Sequence, residues 1–153
     1  MPKAQTKNQP GSRYVRNFCF LCGPDNPQGM RLKFSVDPEH SVVRGTFHLA
    51  HRYGGPASLA HDGIVAAVVE EAMAKLNSLD KRAARIAAMT VEYLHPVPLG
   101  RKITVEARSS DPKGREFSRE CTIRDSRGRV LVRGQGRFVR VGGKGKGPSP
   151  HFD

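Results

Sequence analysis

The sequence predicts an α+β fold in which a curved antiparallel sheet wraps around one long central helix. One apolar segment has helical length and lacks a polar stripe, which is typical of a helix enclosed by the rest of its domain. The segments before and after it alternate between apolar and polar residues with a period of two, as half-buried strands do. The helix then covers the apolar face of the sheet.

Two strands and a loop precede the helix. The strands, Met30–Val36 and Val42–Leu49, are joined by a turn of sequence Asp-Pro-Glu-His. Residues 51–60 contain Gly-Gly-Pro and form the loop that leads into the helix. The helix spans about residues 62–78, and its apolar residues point to nearly all sides. They are Ile64, Val65, Ala66, Ala67, Val68, Val69, Ala72, Met73, Ala74 and Leu76.

Four strands with period-two alternation follow the helix. We predict that they are successive antiparallel neighbours, because turns rich in glycine or proline separate them at 96–100, 111–114 and 125–128. Their apolar residues define one face that needs a cover. The strands are Arg85–His95, Lys102–Ser109, Glu116–Arg124 and Arg129–Val141. The apolar face consists of Met89, Val91, Tyr93, Ile103, Val105, Ala107, Phe117, Cys121, Ile123, Val130, Val132 and Phe138.

The chain length of 153 residues, 37% of them hydrophobic, suits one domain with a core. We place this domain at residues 18–141. Residues 1–17 are basic and residues 142–153 are rich in Gly, Lys and Pro, so both segments are predicted to be disordered. The sequence shows neither a signal peptide nor an apolar run of bilayer length, and three cysteines are too few for a disulfide framework. These features predict a soluble cytoplasmic protein without a membrane partner.

The formal net charge of +12 attracts polyanions but does not name one. No helix-turn-helix, zinc-finger spacing or aromatic-interleaved strand accompanies the basic residues, so we predict no nucleic-acid partner. The positive net charge is also compatible with the binding of a small ligand that carries phosphate groups. Cys19 and Cys22 supply two metal ligands where structural zinc needs four, and no metal site is predicted. We expect a tight turn at these cysteines instead.

Two adjacent carboxylates, Glu70 and Glu71, interrupt the apolar helix. An unpaired buried carboxylate is costly, so each needs an explanation. Lys75 follows Glu71 at i+4, in the order that favours an ion pair, which suggests that this pair lies on a rim. Glu70 has only apolar residues three and four positions away. It is either exposed through a gap in the sheet or held in a cleft with a raised pKa, and the second alternative makes it the catalytic candidate.

The helix begins with the sequence His61-Asp62-Gly63. We predict that Asp62 is the N-cap. The backbone N–H groups of Asp62 and Gly63 then lie at the positive end of the helix, where they can polarise a carbonyl oxygen. His61 is either catalytic or a helix-entry residue that bonds to the loop. A carboxylate and an oxyanion donor suffice to cleave a thioester, because a thiolate leaves readily.

His61 and Glu70 lie nine residues apart, which separates them by more than about 10 Å and turns them to opposite sides of the helix. We therefore expect that they do not meet within one chain. In a two-fold dimer, the helix start of one subunit can face the mid-helix carboxylate of the other, and the symmetry creates two identical composite sites.

Three segments resemble those of a known family. The first is residues 19–30, Cys-Phe-Leu-Cys-Gly-Pro-Asp-Asn-Pro-Gln-Gly-Met, and the second combines His61-Asp62-Gly63 with Glu70-Glu71-Ala72. The third is residues 90–100, Thr-Val-Glu-Tyr-Leu-His-Pro-Val-Pro-Leu-Gly. Over most of residues 18–141, the chain resembles the hotdog-fold acyl-CoA thioesterases related to the phenylacetate-pathway thioesterase and to 4-hydroxybenzoyl-CoA thioesterase.

The resemblance implies a hotdog fold and hydrolysis of an acyl-CoA thioester by a homodimer or a dimer of dimers. Coenzyme A is part of the substrate, and no further cofactor is implied. The family pattern places an acidic residue nine positions after the histidine of His-Gly-Gly, which falls on Glu70 as nucleophile or general base. Asp62 replaces the first glycine, so its backbone N–H is the implied contact to the thioester oxygen.

Two alternatives to hydrolysis stay open. One is a hydratase or dehydratase of acyl thioesters that uses His61 and Glu70 as acid and base across the dimer. The other is a non-catalytic acyl-CoA binding protein.

Arginines 127, 129, 133 and 137 share one face of the last predicted strand. Such a row is usually a solvated face. With coenzyme A as a ligand, Arg133 and Arg137 are candidates for contacts with its phosphates, because guanidinium binds phosphate bidentately.

Overall fold

A computed structural model describes residues 14–80, 83–110 and 114–141. The chain divides into two compact units, Met1–Arg31 and Leu32–Asp153. The disorder predicted for the basic start of the chain and for the 142–153 tail concerns residues that lie, except for 14–17, outside the described ranges. Most of the turn predicted at 111–114 also lies outside them.

The described residues of the first unit form consecutive turns. The carbonyl of Cys19 accepts a hydrogen bond from the N–H of Gly23 at 2.8 Å, and that of Asn26 accepts one from Gly29 at 3.1 Å. The Asp25 carboxylate accepts a hydrogen bond from the Tyr14 hydroxyl at 2.7 Å, which lowers its pKa. The turn predicted at the two cysteines is therefore confirmed.

The second unit contains one antiparallel sheet of six strands and one long helix, as the sequence predicts. The strand order is β1-β2-β4-β5-β6-β3. The helix α1 spans Asp62–Ala74 and continues into a 3-10 turn at Lys75–Leu79. The strands are β1 Ser35–Asp37, β2 Val42–His48, β3 Ala84–Tyr93, β4 Lys102–Ser109, β5 Glu116–Asp125 and β6 Val130–Arg140.

The position of β3 differs from the prediction. We expected β3 beside β4, but it pairs with β6 and lies at the edge of the sheet, while β2 pairs with β4. The cause is the connection that follows β3, which is too long for a tight hairpin. The N–H groups of Leu94 and His95 both donate to the carbonyl of Leu131, at 2.9 and 3.0 Å. These bonds direct the chain across the start of β6 instead of back along β3.

The first strand is shorter than predicted. We expected Met30–Val36, whereas β1 spans only Ser35–Asp37. Arg31 has a φ of 52°, in the left-handed region, and extended backbone cannot run through such a residue. The edge of the sheet at β1 is therefore very short.

The helix packs on the sheet through its buried residues Val65, Val68, Val69, Ala72 and Met73. The predicted apolar face is confirmed for β4 and β5, whose members are buried, and for most of β6. The register also confirms it for β3, whose Met89, Val91 and Tyr93 pair with Gly136, Gly134 and Val132 on the helix side of β6, but these residues are only half-buried, or exposed in the case of Tyr93. An edge strand has a neighbour on one side only, which leaves its side chains less covered.

Two glycines of β6 let α1 approach the sheet closely. A Cβ atom added at Gly134 would collide with the γ carbon of Val69. One added at Gly136 would lie 3.1 Å from the Cε atom of Met73, closer than ordinary side-chain contacts allow. The missing side chains thus set the spacing between helix and strand.

One charged residue, Arg119 of β5, is completely buried on the helix side of the sheet. Its Nη1 atom donates to the Met73 carbonyl at 2.9 Å and to Asn77 Oδ1 at 2.8 Å, and Nη2 donates to Asp80 Oδ2 at 2.8 Å. The guanidinium also stacks 4.4 Å from the ring centroid of Phe138. We call this group the Arg119 clasp, and it was not predicted from the sequence.

Candidate functional site

The start of α1 has a different cap from the one predicted. His61, not Asp62, is the N-cap, because His61 has extended backbone angles and Asp62 is already the first helical residue. The Nδ1 atom of His61 accepts a hydrogen bond from the N–H of Gly63 at 2.9 Å. This bond satisfies one of the N–H groups that have no partner inside the helix.

The capping hydrogen bond determines the roles of the two ring nitrogens of His61. Since Nδ1 acts as an acceptor, the neutral ring carries its proton on Nε2. The backbone N–H of His61 donates to the carbonyl of Tyr53 at 2.9 Å, which ties the helix start to the preceding loop. The geometry therefore supports the role of a helix-entry residue for His61.

The two predicted oxyanion donors differ in whether their N–H group is already hydrogen-bonded. The N–H of Gly63 is bound to His61. The N–H of Asp62 makes no hydrogen bond within the described part of the chain. A ligand oxygen at this end of α1 can therefore be bound by Asp62, through a backbone donor at the positive pole of the helix.

A cleft of about 220 Å³ opens beside Asp62, and we call it the helix-start cleft. The Tyr93 hydroxyl, at the end of β3, donates to the carbonyl of Asp62 at 2.9 Å and links the edge strand to the helix start. Partial burial and the nearby Asp62 carboxylate raise the pKa of Tyr93. From the sequence, Tyr93 was assigned to the apolar face, and no role at the site was predicted for it. The cleft is lined by Leu59, Ala60, Asp62, Tyr93, Leu94, His95, Pro96 and Val97.

Glu70 lies in the middle of α1 and is half-buried. Burial raises the pKa of its carboxyl group, and the negative charge of Glu71 raises it further. Its neighbours at i−4, i−3 and i+4 are the alanines 66, 67 and 74, which are also only half-buried. Glu70 thus lies on the stripe of the helix that the sheet covers least, among small side chains that leave room for a substrate or a second subunit.

Glu71 forms the predicted ion pair, since Lys75 Nζ lies 3.2 Å from its Oε1 atom. The prediction that this pair lies on a rim is wrong, because Glu71 is only 7% exposed. Position 71 comes three residues after the buried Val68 and so shares its face of the helix. The pair explains Glu71 structurally, whereas Glu70 forms no ion pair with any residue that the structure describes.

The structure of one chain does not bring all the predicted site residues together. Nine residues of helix rise separate His61 and Glu70 by roughly 13 Å along the axis. Arg133 and Arg137 lie exposed on β6, and Arg137 Nη1 is 3.6 Å from Glu116 Oε1. Neither arginine lines the helix-start cleft.

Comparison with known proteins identifies the family. The model of the thioesterase superfamily matches residues 57–143, more than half of the chain. The chain belongs to the thioesterase superfamily. The match includes α1 with Glu70 and the helix-start cleft. No curated protein sequence matches significantly.

Solved structures of the thioesterase superfamily have the same fold. One, described as a thioesterase superfamily protein, is 26% identical with a TM-score of 0.74, and the match covers 80% of this chain and 60% of that one. The present chain thus spans about three fifths of the length of that relative. The PaaI protein of the phenylacetic acid degradation operon of E. coli is 20% identical, with a TM-score of 0.63 and coverage of 68% and 75%.

A third structure is that of a hypothetical thioesterase from Streptococcus pneumoniae with coenzyme A, which is 12% identical with a TM-score of 0.67. It covers 74% of this chain and 90% of its own. The predicted hotdog fold and family resemblance are therefore confirmed. No helix among the described residues is both long and apolar enough to cross a membrane.

Proposed function

We propose that the protein hydrolyses an acyl-CoA thioester to a carboxylic acid and coenzyme A, with Glu70 as the catalytic carboxylate. The observation that carries the proposal is the position of Glu70: a half-buried carboxylate with a raised pKa on the least covered stripe of α1, which forms no ion pair within the described ranges. Membership of the thioesterase superfamily supports the reaction class, and the structure of the streptococcal relative with coenzyme A supports the type of ligand.

The chemistry needs a carboxylate and a donor for the oxygen that becomes negative. Glu70 either takes the proton of an attacking water or attacks the thioester carbon itself, and water then cleaves the anhydride. Both routes break the C–S bond, add one water and release acid and thiol. The Asp62 N–H stabilises the oxyanion in the transition state. His61 is the helix cap in this mechanism, and its engaged Nδ1 favours hydrolysis over a hydratase that uses His61 as the base.

A homodimer completes the site, because Glu70 and Asp62 of one chain are too far apart. The strand β3 has ten residues and one open edge, and a long open edge is a template for pairing with another strand. Pairing of two β3 edges by two-fold symmetry brings the two α1 helices side by side. Glu70 of one subunit then works with Asp62 of the partner subunit, and each dimer has two sites.

The first test measures thiol release from a panel of acyl-CoAs by the wild type and by Glu70→Gln. We expect the wild type to release thiol and the variant to lose about 10²-fold or more of kcat/KM, in line with the removal of a general base. Glu71→Gln is the matched control, because it removes the adjacent carboxylate and should keep the activity of the folded protein.

Other outcomes decide between the alternatives. Equal activity of Glu70→Gln and the wild type contradicts the role of Glu70. Binding of acyl-CoA without thiol release indicates the non-catalytic binder, and interconversion of enoyl-CoA and hydroxyacyl-CoA indicates the hydratase.

The second test removes the Asp62 N–H by Asp62→Pro. Proline suits the first helical position, and the extended backbone of His61 suits a residue before proline, so α1 should persist. We expect a loss of kcat of about 10²-fold or more. Asp62→Ala keeps the N–H and should keep the activity, so equal losses in both variants would contradict the backbone role.

Mixing the two inactive variants tests the shared site. A heterodimer of Asp62→Pro and Glu70→Gln subunits contains one site with both defects and one with neither. Activity should therefore reappear when the two proteins are unfolded together and refolded. A mixture that stays inactive although gel filtration shows dimers contradicts the composite site.

A further inference from the structure

The motif Cys19-Phe-Leu-Cys22-Gly23 lies in the first unit and has no part in the proposed hydrolysis. The Sγ atoms of Cys19 and Cys22 lie within 4.8 Å of each other. Both residues are half-buried, and both are thiols in this structure. Two neighbouring thiols of this kind can react as one group, and we call them the Cys19–Cys22 pair.

One helical turn holds the two cysteines at this distance. The N–H of Gly23 donates to the carbonyl of Cys19 at 2.8 Å, which is the hydrogen-bond pattern of an α-helix. In such a turn, Cβ atoms three residues apart are separated by about 5–6 Å. A disulfide needs a Cβ separation of about 3.5–4.5 Å. Side-chain rotation and a tightening of the turn by about 1–2 Å therefore suffice to join the two sulfur atoms.

Further contacts fix the backbone around this turn. A Cβ atom added at Gly23 would lie 2.4 Å from both the Asn17 carbonyl oxygen and the Cys19 nitrogen, so only glycine fits there. The N–H of Cys19 donates to Asn17 Oδ1 at 3.0 Å, and the N–H of Met30 donates to the Phe20 carbonyl at 2.7 Å. The two thiols are thus held close together before they react, which gives each a high effective concentration toward the other.

The ligand set around the pair does not match a structural metal ion. Structural zinc needs four ligands. Residues 14–31, the described part of the first unit, contain no histidine and no further cysteine. Their one carboxylate, Asp25, already accepts hydrogen bonds through Oδ2 from the Tyr14 hydroxyl at 2.7 Å and the Asn17 N–H at 2.6 Å. Two thiols without further ligands suit a disulfide better than a tetrahedral ion.

The third cysteine, Cys121 in β5, provides a contrast within the same chain. It is only 2% exposed. Burial, together with the charge of Glu106, raises the pKa of its thiol to about 12. Since the thiolate is the form that attacks a disulfide, Cys121 is almost entirely unreactive at neutral pH. Cys19 and Cys22 are less covered, so a small reagent can reach them and not Cys121.

We propose that the Cys19–Cys22 pair is a reversible oxidation site that exchanges with low-molecular-weight disulfides. One thiolate attacks a disulfide R–S–S–R, forms a mixed disulfide and releases one R–S⁻. The second thiolate attacks the protein sulfur of this mixed disulfide, forms the Cys19–Cys22 bond and releases the second R–S⁻. The two cysteines together lose two electrons and two protons, and R–S–S–R is reduced to two thiols. This site goes beyond the proposed hydrolysis and does not depend on it.

The disulfide formed in this way is easily reduced again. It closes a loop of only four residues, and the stabilisation that a disulfide provides decreases with the length of the loop. Accessible disulfides are also the ones that thiols reduce most readily. The pair therefore responds to the ratio of disulfide to thiol around the protein and does not act as a structural bond.

The experiment equilibrates the full-length protein with mixtures of reduced and oxidised glutathione. The reaction is then quenched with acid, the remaining thiols are alkylated under denaturing conditions, and mass spectrometry locates them. We expect two of the three thiols to be lost together and Cys121 to stay alkylated, and dithiothreitol should restore both lost thiols. Three thiols that persist at high oxidised glutathione, or a bridge that includes Cys121, overturn the proposal. A metal ion that copurifies and blocks the reaction until a chelator removes it also overturns it.

Single-cysteine variants test the two-step exchange. Cys19→Ser and Cys22→Ser each lack the second thiolate, so we expect both to stop at the mixed disulfide and to keep bound glutathione. Cys121→Ala is the matched control and should be oxidised like the wild type. A wild type that carries glutathione without forming the internal bond overturns the proposal.

Gly23→Ala tests the contribution of the turn. The added Cβ has no room and should open the turn, which lowers the equilibrium constant for oxidation by about tenfold or more. Gly114→Ala is the control, because a Cβ there lies 3.5 Å from its nearest neighbour, an ordinary contact. Thermal unfolding shows that each variant is folded. Equal equilibrium constants for Gly23→Ala and the wild type overturn the preorganisation of the pair.

Discussion

The two ends of α1 are built in opposite ways. At the C-terminal end, the Met73 carbonyl accepts a hydrogen bond from Arg119, whose side chain is completely buried. At the N-terminal end, the cap is the exposed His61, and Asp62, whose N–H has no hydrogen-bond partner among the described residues, lines a cleft. One helix thus has an end closed by protein and an end open to a ligand.

The difference shows how one helix serves both stability and function. Carbonyl groups at a covered helix end have no water to bind, so the protein must supply donors. Arg119 supplies three hydrogen bonds, to Met73, Asn77 and Asp80, and so joins β5 to the helix end. At the open end, an N–H without a protein partner is a preformed site for a developing negative charge.

Breaking the closed end should have the largest effect on stability. Arg119→Leu leaves the Asp80 carboxylate and the Met73 carbonyl without their donor, and we expect the free energy of unfolding to fall by about 3–5 kcal/mol. Urea unfolding measures this loss. Arg133→Leu, on the exposed face of β6, should change stability by less than about 0.5 kcal/mol. If the two variants lose equal stability, the Arg119 clasp is not what secures this end of the helix.

Breaking the open end should cost less stability. His61→Ala removes the cap, which is worth about 1 kcal/mol, and should lower activity because the first turn of α1 frays. His61→Asn supplies a side-chain oxygen that also caps well and should restore both stability and activity. Thermal unfolding and thiol release measure the two effects. Restored stability without restored activity would show that the imidazole itself takes part in catalysis.

The middle of α1 adds a pH dependence to the comparison of the two helix ends. Its expected effect on stability is the smallest of the three. Burial raises the pKa of Glu70 above its ordinary value of 4.5, so the folded protein holds the proton more tightly than the unfolded chain. The contribution of Glu70 to stability is therefore most favourable below that ordinary value and declines as pH rises through the raised pKa.

Catalysis by Glu70 should change in the opposite direction, because the reaction needs the ionised carboxylate. We expect kcat/KM to rise with pH over the pH range in which the contribution of Glu70 to the stability of the protein declines. Urea unfolding of the wild type and Glu70→Gln over this window measures the first trend, and the pH profile of thiol release measures the second. A wild type whose stability follows the same pH curve as the variant contradicts the raised pKa.

The sequence was sufficient to predict the features that depend on local patterns. The helix was expected to begin at about residue 62, and α1 begins at Asp62. The Glu71–Lys75 pair follows from the i+4 spacing, and it is present. The alternation in β4 and β5 identified the residues that face the helix. Each of these features requires only a few neighbouring residues.

Features that depend on distant partners were not predictable in the same way. Arg119 alternates with Phe117 and Cys121 and so falls on the apolar face, but its charge argued against burial. Its carboxylate partner, Asp80, is 39 residues away. The pairing of β3 with β6 is likewise nonlocal. At the site, Asp62 is the better cap by residue type, but the first helical turn begins one residue earlier than that assignment requires, so the cap is His61.

The close approach of α1 to β6 also constrains how this sequence can diverge. Gly134 has no side chain where the γ carbon of Val69 lies, although the two positions are far apart in the chain. A larger residue at position 134 needs a smaller one at position 69, or else the helix moves outward. Because Glu70 is the next residue along the helix, such a shift would also move the carboxylate. Positions 69 and 134 should therefore covary among homologues, even though neither side chain carries a charge or touches the proposed substrate.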